Sequence, residues 1–287
     1  MSAPSAPVFT AWLDNFFAWY YRGRPVSATF IGVHTYDDQL PDLSELGISA
    51  TLAEAEALLE RLAALPREQL TPWQSLDRQL AEGFLLIQRW ESNSPHFGPT
   101  NPVQFTGEAI FGLVSLLLHP SEARLESAVK RLELVPELLH TGMHQIESAP
   151  EAWIQRARAE CAAAGLLMED VAVAFPGLLS AATSSAAAFA SFDRFLERDV
   201  TPTREYACGA DALELLLRHA HAVTDGADGV EQLALERLAT EEDALRAAPP
   251  PAADSETPPA TADAYLARFD ALWRTVQMLA TDRQILT

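Results

Sequence analysis

Glu137, His140, His144 and Glu147 fall at i, i+3, i+7 and i+10, a spacing that sets all four on one stripe of a single helix. Glu-x-x-His is the ligand unit of di-iron helical bundles, and two histidines one turn apart can chelate zinc. A bundle di-iron centre needs a second Glu-x-x-His, and the sequence has none. Gly142 also loosens the turn between the histidines, so the competing reading is a solvated polar helix face. His34, Tyr36, Asp37 and Asp38, within GVHTYDDQLPD, form the other mixed cluster. An imidazole, a phenol and two carboxylates could position a substrate or move its protons. Aspartates in a proline-punctuated loop also cap helices and bond to the local backbone, which is the competing account here.

Glu108 heads the apolar run AIFGLVSLLL and is forced towards the core, where a carboxyl needs a partner or a raised pKa. Cys161, in AECAAAG, reads as a packed, reduced thiol, and Cys208 has no histidine nearby in sequence to activate it. His219 and His221 face two sides of a helix and make a poor chelate. Complete motifs are absent: there is no GxGxxG, Walker A, GxSxG or CxxC, and none of the seven histidines is followed by glutamate, which excludes HExxH.

The elements that must position these residues are helical. Among 287 residues Gly is scarce at 13, and runs of β-branched and aromatic residues are nearly missing. Ala, Leu, Glu and Arg dominate, and these lose least on entering a helix. The expected fold is all-α, with about nine to eleven helices and no significant sheet. Phe9, Trp12, Leu13, Phe16, Phe17 and Tyr20 stripe a first helix closed by Gly23 and Pro25. Thr51 and Glu54 read as a capping box opening a helix that runs to Pro66. Thr71 and Pro72 open the next, with Trp73, Leu76, Leu80, Phe84 and Ile87 as its buried stripe. GEAIFGLVSLLL must be buried on most sides. Ser121 caps a helix kinked at Pro136, and two long helices follow, broken near Pro176-Gly177. The small residues of SAATSSAAAFASF allow close helix approach.

AAPPPAADSETPPAT has five prolines and no large apolar side chain, the composition of an extended, mobile linker. The organisation read from the sequence is a helical domain over 1–248, a linker over 249–260, and a terminal helix over 261–287. That last helix would pack back on the domain or on a partner.

Forty acidic against 20 basic residues give a net charge of −20, which repels phosphate backbones and argues against nucleic-acid partners. The N-terminal MSAPSAPVFTAW lacks the basic start and apolar run of a signal peptide. The apolar stretch from Ile110 to Leu118 covers about half of a bilayer crossing, so no membrane partner is expected. Two distant cysteines are no disulfide framework. Together these features lead to the expectation of a cytoplasmic protein.

Residues 24–44, RPVSATFIGVHTYDDQLPDLS, resemble the opening block RxPxxATxxGxHxYDDxLPDxS of the bacterial domain of unknown function 885 (DUF885) family. GEAIFGLVSLLL (107–118), RLELVPELL (131–139), FDRFLERDVTP (192–202) and GADALELLLRHAH (209–221) look like later blocks of the same family in the same order. The resemblance runs over roughly residues 8–287 and implies a largely helical, zincin-related fold and a zinc-dependent peptidase. The family's His-Glu and Pro-Gly-His-His metal motif lies in a carboxy-terminal half, which this sequence does not include. The resemblance therefore implies a non-catalytic amino-terminal half with no cofactor of its own, zinc in a missing or partner half, and either a catalytic-half chain or self-association as its partner. No catalytic residue can be carried over. His34, Tyr36, Asp37 and Asp38 match a family block and are the candidates for substrate contact. The alternative is a stand-alone helical module that binds a peptide or protein.

Overall fold

The helices that start at Glu45, Pro72, Pro102, Glu122 and Ala262 begin where a short side chain accepts from a free backbone N–H. In the computed structural model, which describes residues 5–67, 70–94, 100–248 and 259–283, eleven α-helices and two three-residue strands are present among the described residues. Thr71 opens α4 (Pro72–Asn93) with a reciprocal capping box: Gln74 N–H donates to Thr71 Oγ1 at 3.2 Å, and Thr71 N–H to Gln74 Oε1 at 3.1 Å. Asn101 caps α5 (Pro102–Leu117) and Ser121 caps α6 (Glu122–Gln145) one-sidedly, each side chain accepting from a backbone N–H two or three residues on. Proline takes the first position of α2 (Pro25–Phe30), α4 and α5, where no N–H is needed.

The expected start at Thr51 is wrong. Ser44 Oγ accepts from Gly47 N–H at 3.1 Å, so α3 (Glu45–Ala63) begins seven residues earlier. Thr51 then lies inside α3, where its carbonyl accepts from Trp19 Nε1 of α1 (Ser5–Gly23) at 3.1 Å. A second acceptable cap upstream prevailed, and the extra turns bring Thr51 O to Trp19 on the first helix.

Contacts divide the chain into two units, residues 1–230 and 231–287. The first has two apolar cores. Phe9, Trp12, Phe16 and Trp19 of α1 pack with Leu58 and Leu62 of α3 and Leu85 of α4, and Trp12 Nε1 donates to Leu58 O at 3.0 Å. The larger core joins α5, α6, α7 (Glu151–Ala174) and α8 (Leu179–Arg198). Small residues set its tightest contacts. Ala182 and Ser185 of α8 are wholly buried, and Ser185 Oγ donates to Leu132 O on α6 at 2.8 Å. A parallel pair, β1 (Ser148–Pro150) and β2 (Thr201–Thr203), ties the loop after α6 to the end of α8.

Gly142 does more than loosen a turn. A Cβ there would stand 3.1 Å from ring atoms of both Phe105 and Phe192, two rings with no exposure. Gly142→Val should therefore overpack the site and cost about 1–3 kcal/mol, read as a lower urea midpoint with unchanged slope. An unchanged midpoint would mean that these rings can yield.

Two expected core stripes are only partly buried. On α4 the buried positions are Arg78, Ala81, Gly83 and Leu85, while Trp73, Leu76 and Leu80 are exposed. The buried positions Arg78, Ala81 and Leu85 lie on a different side of α4 from the expected stripe, whose first three members stay exposed. On α5, Phe105, Ala109, Gly112, Leu113 and Leu116 face inward, but Phe111 and Leu118 are 64% and 62% exposed. A helix one side chain from the surface can be apolar all round without being buried all round.

In the second unit, most of α10 (Gly226–Ala247) and all of α11 (Ala262–Asp282) have no buried residue among those described. Tyr265, Phe269, Leu272, Trp273 and Val276 of α11 are each more than half exposed. The proposed linker at 249–260 lies outside the described residues except for its last two positions.

Candidate functional site

The His34–Asp38 block folds as a 3-10 turn over His34–Tyr36 immediately after α2. It is organised from inside the protein. Arg131 of α6 is 1% exposed, and its guanidinium reaches across to the block. Nε donates to Gln39 O at 2.9 Å, and Nη1 to Gly112 O at 2.7 Å. Nη2 donates to Thr29 Oγ1 at 2.7 Å and, more weakly, to Pro25 O and Tyr36 O at 3.2 Å. Thr29 Oγ1 in turn donates to Asp37 Oδ1 at 2.6 Å, and Asp37 Oδ2 lies 3.0 Å from His34 Nδ1. Burial pulls the Arg131 guanidinium down to about 10, which leaves it charged at neutral pH, with Asp37 and Glu108 acting in the opposite sense. The guanidinium ties the turn, through Tyr36 O and Gln39 O, to α2 and to the Gly112 carbonyl of α5.

Of the four residues, Asp37 is turned inward. Asp38 is taken by Lys130 Nζ at 3.0 Å, a contact that holds its carboxyl below the usual range. His34 is exposed and Tyr36 half-buried, so these two face the outside of the turn.

The stripe on α6 assembles only in part. His140 and His144 lie with Nε2 atoms 2.9 Å apart on an exposed face. Among the described residues no three His, Cys, Asp or Glu side chains are placed to hold a metal ion, so Glu137 and Glu147 do not complete a set. Among the described residues the stripe therefore offers two histidines and no third donor.

A site the residue types pointed to less directly lies around Glu108. A polar cavity of about 240 Å³ is lined by Arg24, Ser27, Asp42, Gln88, Glu91, Gln104 and Glu108, among others. Beside it an apolar groove of about 790 Å³ runs between α2 and α5, with Phe30, Ile31, Phe111 and Leu118 on its walls. Ser27, Gln104 and Glu108 line both. Glu108 Oε2 is buried and has no hydrogen-bond partner. Burial pushes the Glu108 carboxyl up, against the pull of Arg24 and Arg131. Burial likewise raises Glu91, although Gln88 Nε2 donates to it.

Arg24 is held elsewhere, donating to Gln88 Oε1 and lying over the rings of Tyr20 and Phe84, each 4.9 Å from the centroid. Glu108 was legible as a carboxyl pressed against an apolar run. Arg24 and Arg131 were not singled out, although each opens one of the family-like blocks.

A group whose folded pKa is raised contributes stability below its unfolded pKa and loses it as pH rises through the folded value. Glu108→Gln should therefore be the more stable protein at neutral pH, by about 1 kcal/mol, the low end for a buried unpaired group. The gain should vanish below the ordinary carboxylate range; thermal melts at pH 4 and pH 7.5 check both limbs, and a variant less stable at pH 7.5 would refute the prediction.

The two thiols should also separate. Burial pushes Cys161 up to about 12, with Asp193 and Glu160 adding to it, whereas Cys208 is half-exposed beside a cleft between α4 and α9 (Ala210–His219). One thiol per native chain should react promptly with a disulfide reagent and two after unfolding. Two prompt equivalents in the native protein would be the contrary result.

No described helix is long and apolar enough to cross a membrane. No curated protein matches the chain. A solved structure titled "The structure of a putative lipoprotein of unknown function from Shewanella oneidensis" is similar in fold, with a TM-score of 0.68 and 17% identity. The match covers 100% of this chain and 59% of that one, so the chain spans about three-fifths of its length. A family profile described as bacterial protein of unknown function (DUF885) matches residues 25–284. That range takes in the Arg131-wired turn, Glu108 with most of the residues around its cavities, and the helices α10 and α11, and over it the chain belongs to the DUF885 family.

Proposed function

We propose that this chain is the non-catalytic helical half of a zinc-dependent peptidase or related hydrolase of the DUF885 type. A carboxy-terminal half bearing the His-Glu motif, in a partner chain or a further stretch of the same protein, would complete the active site. The observation that carries the reading is the uncovered apolar surface: Trp73 and Leu80 on α4, and Phe269, Leu272 and Trp273 on α11. Surface of this kind belongs to a partner-facing element. The length mismatch supports it, since two-fifths of the Shewanella chain lies outside the match. In this reading zinc is held by the other half, and this chain contributes walls of the substrate groove. His34 and Tyr36, the outward members of their block, would be the ones to touch a substrate. A cytoplasmic setting, with neither nucleic acid nor membrane as partner, agrees with two unpaired thiols and an acidic surface.

The test is reconstitution with the carboxy-terminal portion of a DUF885 protein. A 1:1 complex that takes up zinc and hydrolyses peptides, where this chain alone does neither, is the expected result. Zinc uptake or hydrolysis by this chain alone would overturn the proposal, as would the failure of any such portion to associate. The apolar groove between α2 and α5 favours a second reading, a stand-alone helical module that binds peptides, for which association with another half is unnecessary.

A further inference from the structure

We propose that the paired cavities around Glu108 bind the amino end of an apolar peptide, with the ammonium against Glu108 and Glu91 and the first side chain in the α2–α5 groove. The inference rests on these cavities alone and stands whether or not a second half exists.

Charge selects the ligand class. Asp42, Glu91 and Glu108 line the polar cavity against one cation, Arg24, whose guanidinium is already engaged by Gln88 and by the rings of Tyr20 and Phe84. The cavity therefore has acceptors left over, and one of them, Glu108 Oε2, is buried without a partner. A buried acceptor with no donor is costly unless an incoming group supplies one, and an ammonium brings both donors and the complementary charge. An anion would meet three carboxylates and is disfavoured.

Geometry then selects a peptide end over a simple amine. Glu108 lines the groove as well as the cavity, so an ammonium placed there has its substituent directed along Phe30, Phe111 and Leu118. Phe30 is 78% exposed and Phe111 64% exposed, a cost in water that an apolar side chain would relieve. Gln104 lines both spaces, and its amide can donate to and accept from the first peptide group.

Calorimetric titration of the whole chain at pH 7 tests the assignment with leucyl-leucinamide as probe. The free-amine dipeptide should bind, and N-acetyl-leucyl-leucinamide should bind at least about tenfold more weakly, the loss of one charge-assisted hydrogen bond. Glu108→Gln should produce a similar loss while raising thermal stability at pH 7.5, a pairing that a merely structural residue would not show. Phe111→Ala, at an exposed position that cannot unfold the protein, should weaken leucyl-leucinamide several-fold and leave glycyl-glycinamide unchanged. No binding of the free-amine dipeptide, equal binding of its acetylated form, or indifference to both substitutions would overturn the proposal. Hexylamine binding as tightly as the dipeptide would assign the site to simple amines and overturn the peptide assignment.

Discussion

Arg131→Met should lower the stability of the protein by about 3–5 kcal/mol, the loss measured when one partner of a buried ionic network is removed. The guanidinium donates to the carbonyls of Pro25, Tyr36, Gln39 and Gly112 and to the hydroxyl of Thr29. Its loss leaves Gln39 O without its donor and the buried Asp37 without the nearby cation, and it unties the turn from α2 and α5. Lysine is no substitute, because one ammonium cannot reproduce a planar fork directed at acceptors on α2, α5 and the 3-10 turn. Against a total stability of about 5–15 kcal/mol, the change is enough to lower the yield of folded protein. Urea unfolding measures it directly, and hydrogen exchange should show the 25–39 segment opening first. A loss below about 1 kcal/mol would show that water replaces the guanidinium at little cost, and the block would then be a surface turn and not a folding clasp.

The second large effect concerns α11. Phe269→Asp with Trp273→Asp should abolish self-association of the isolated chain and most of its binding of a hydrophobic dye. Both side chains are more than half exposed, on the stripe that Tyr265, Leu272 and Val276 continue. Burying a large apolar side chain is worth about 1.5–3 kcal/mol, so losing two from each of two copies weakens association by at least about a thousandfold. Sedimentation velocity should find the wild-type chain polydisperse or dimeric and the double variant monomeric. The same substitutions should block the 1:1 complex with a carboxy-terminal half. A wild-type chain that is strictly monomeric and leaves the dye dark would remove the main support for the half-enzyme reading and leave the stand-alone module in its place. Binding of leucyl-leucinamide at Glu108 is unaffected by either result, so the two proposals fail separately.

The sequence by itself determined the helices and most of their ends. Thr71, Asn101 and Ser121 are followed by apolar residues at helical spacing, and each offers an oxygen to the N–H groups two or three residues on. That information is local, and the start misplaced at Thr51 arose where two local signals competed. It also marked Glu108 as a carboxyl under pressure and identified the family through residues 24–44.

Only the tertiary structure decided which apolar stripes find a partner. The stripe of Trp73, Leu76 and Leu80 is the clear period of α4, yet the face that is buried carries Arg78, Ala81 and Leu85, because burial depends on what another segment places opposite. Nor could spacing show that Arg131 lies on the core face of α6 and reaches a turn some 90 residues earlier, since a cation in a helix reads as solvated until its acceptors are known. His140 and His144 were correctly placed together by a one-turn spacing, whereas completing a metal site requires donors from elsewhere. Glu108 gained its meaning in the same way: two cavities meet at one carboxyl only because α2, α4 and α5 converge there, and convergence of distant segments leaves no periodic trace in the chain.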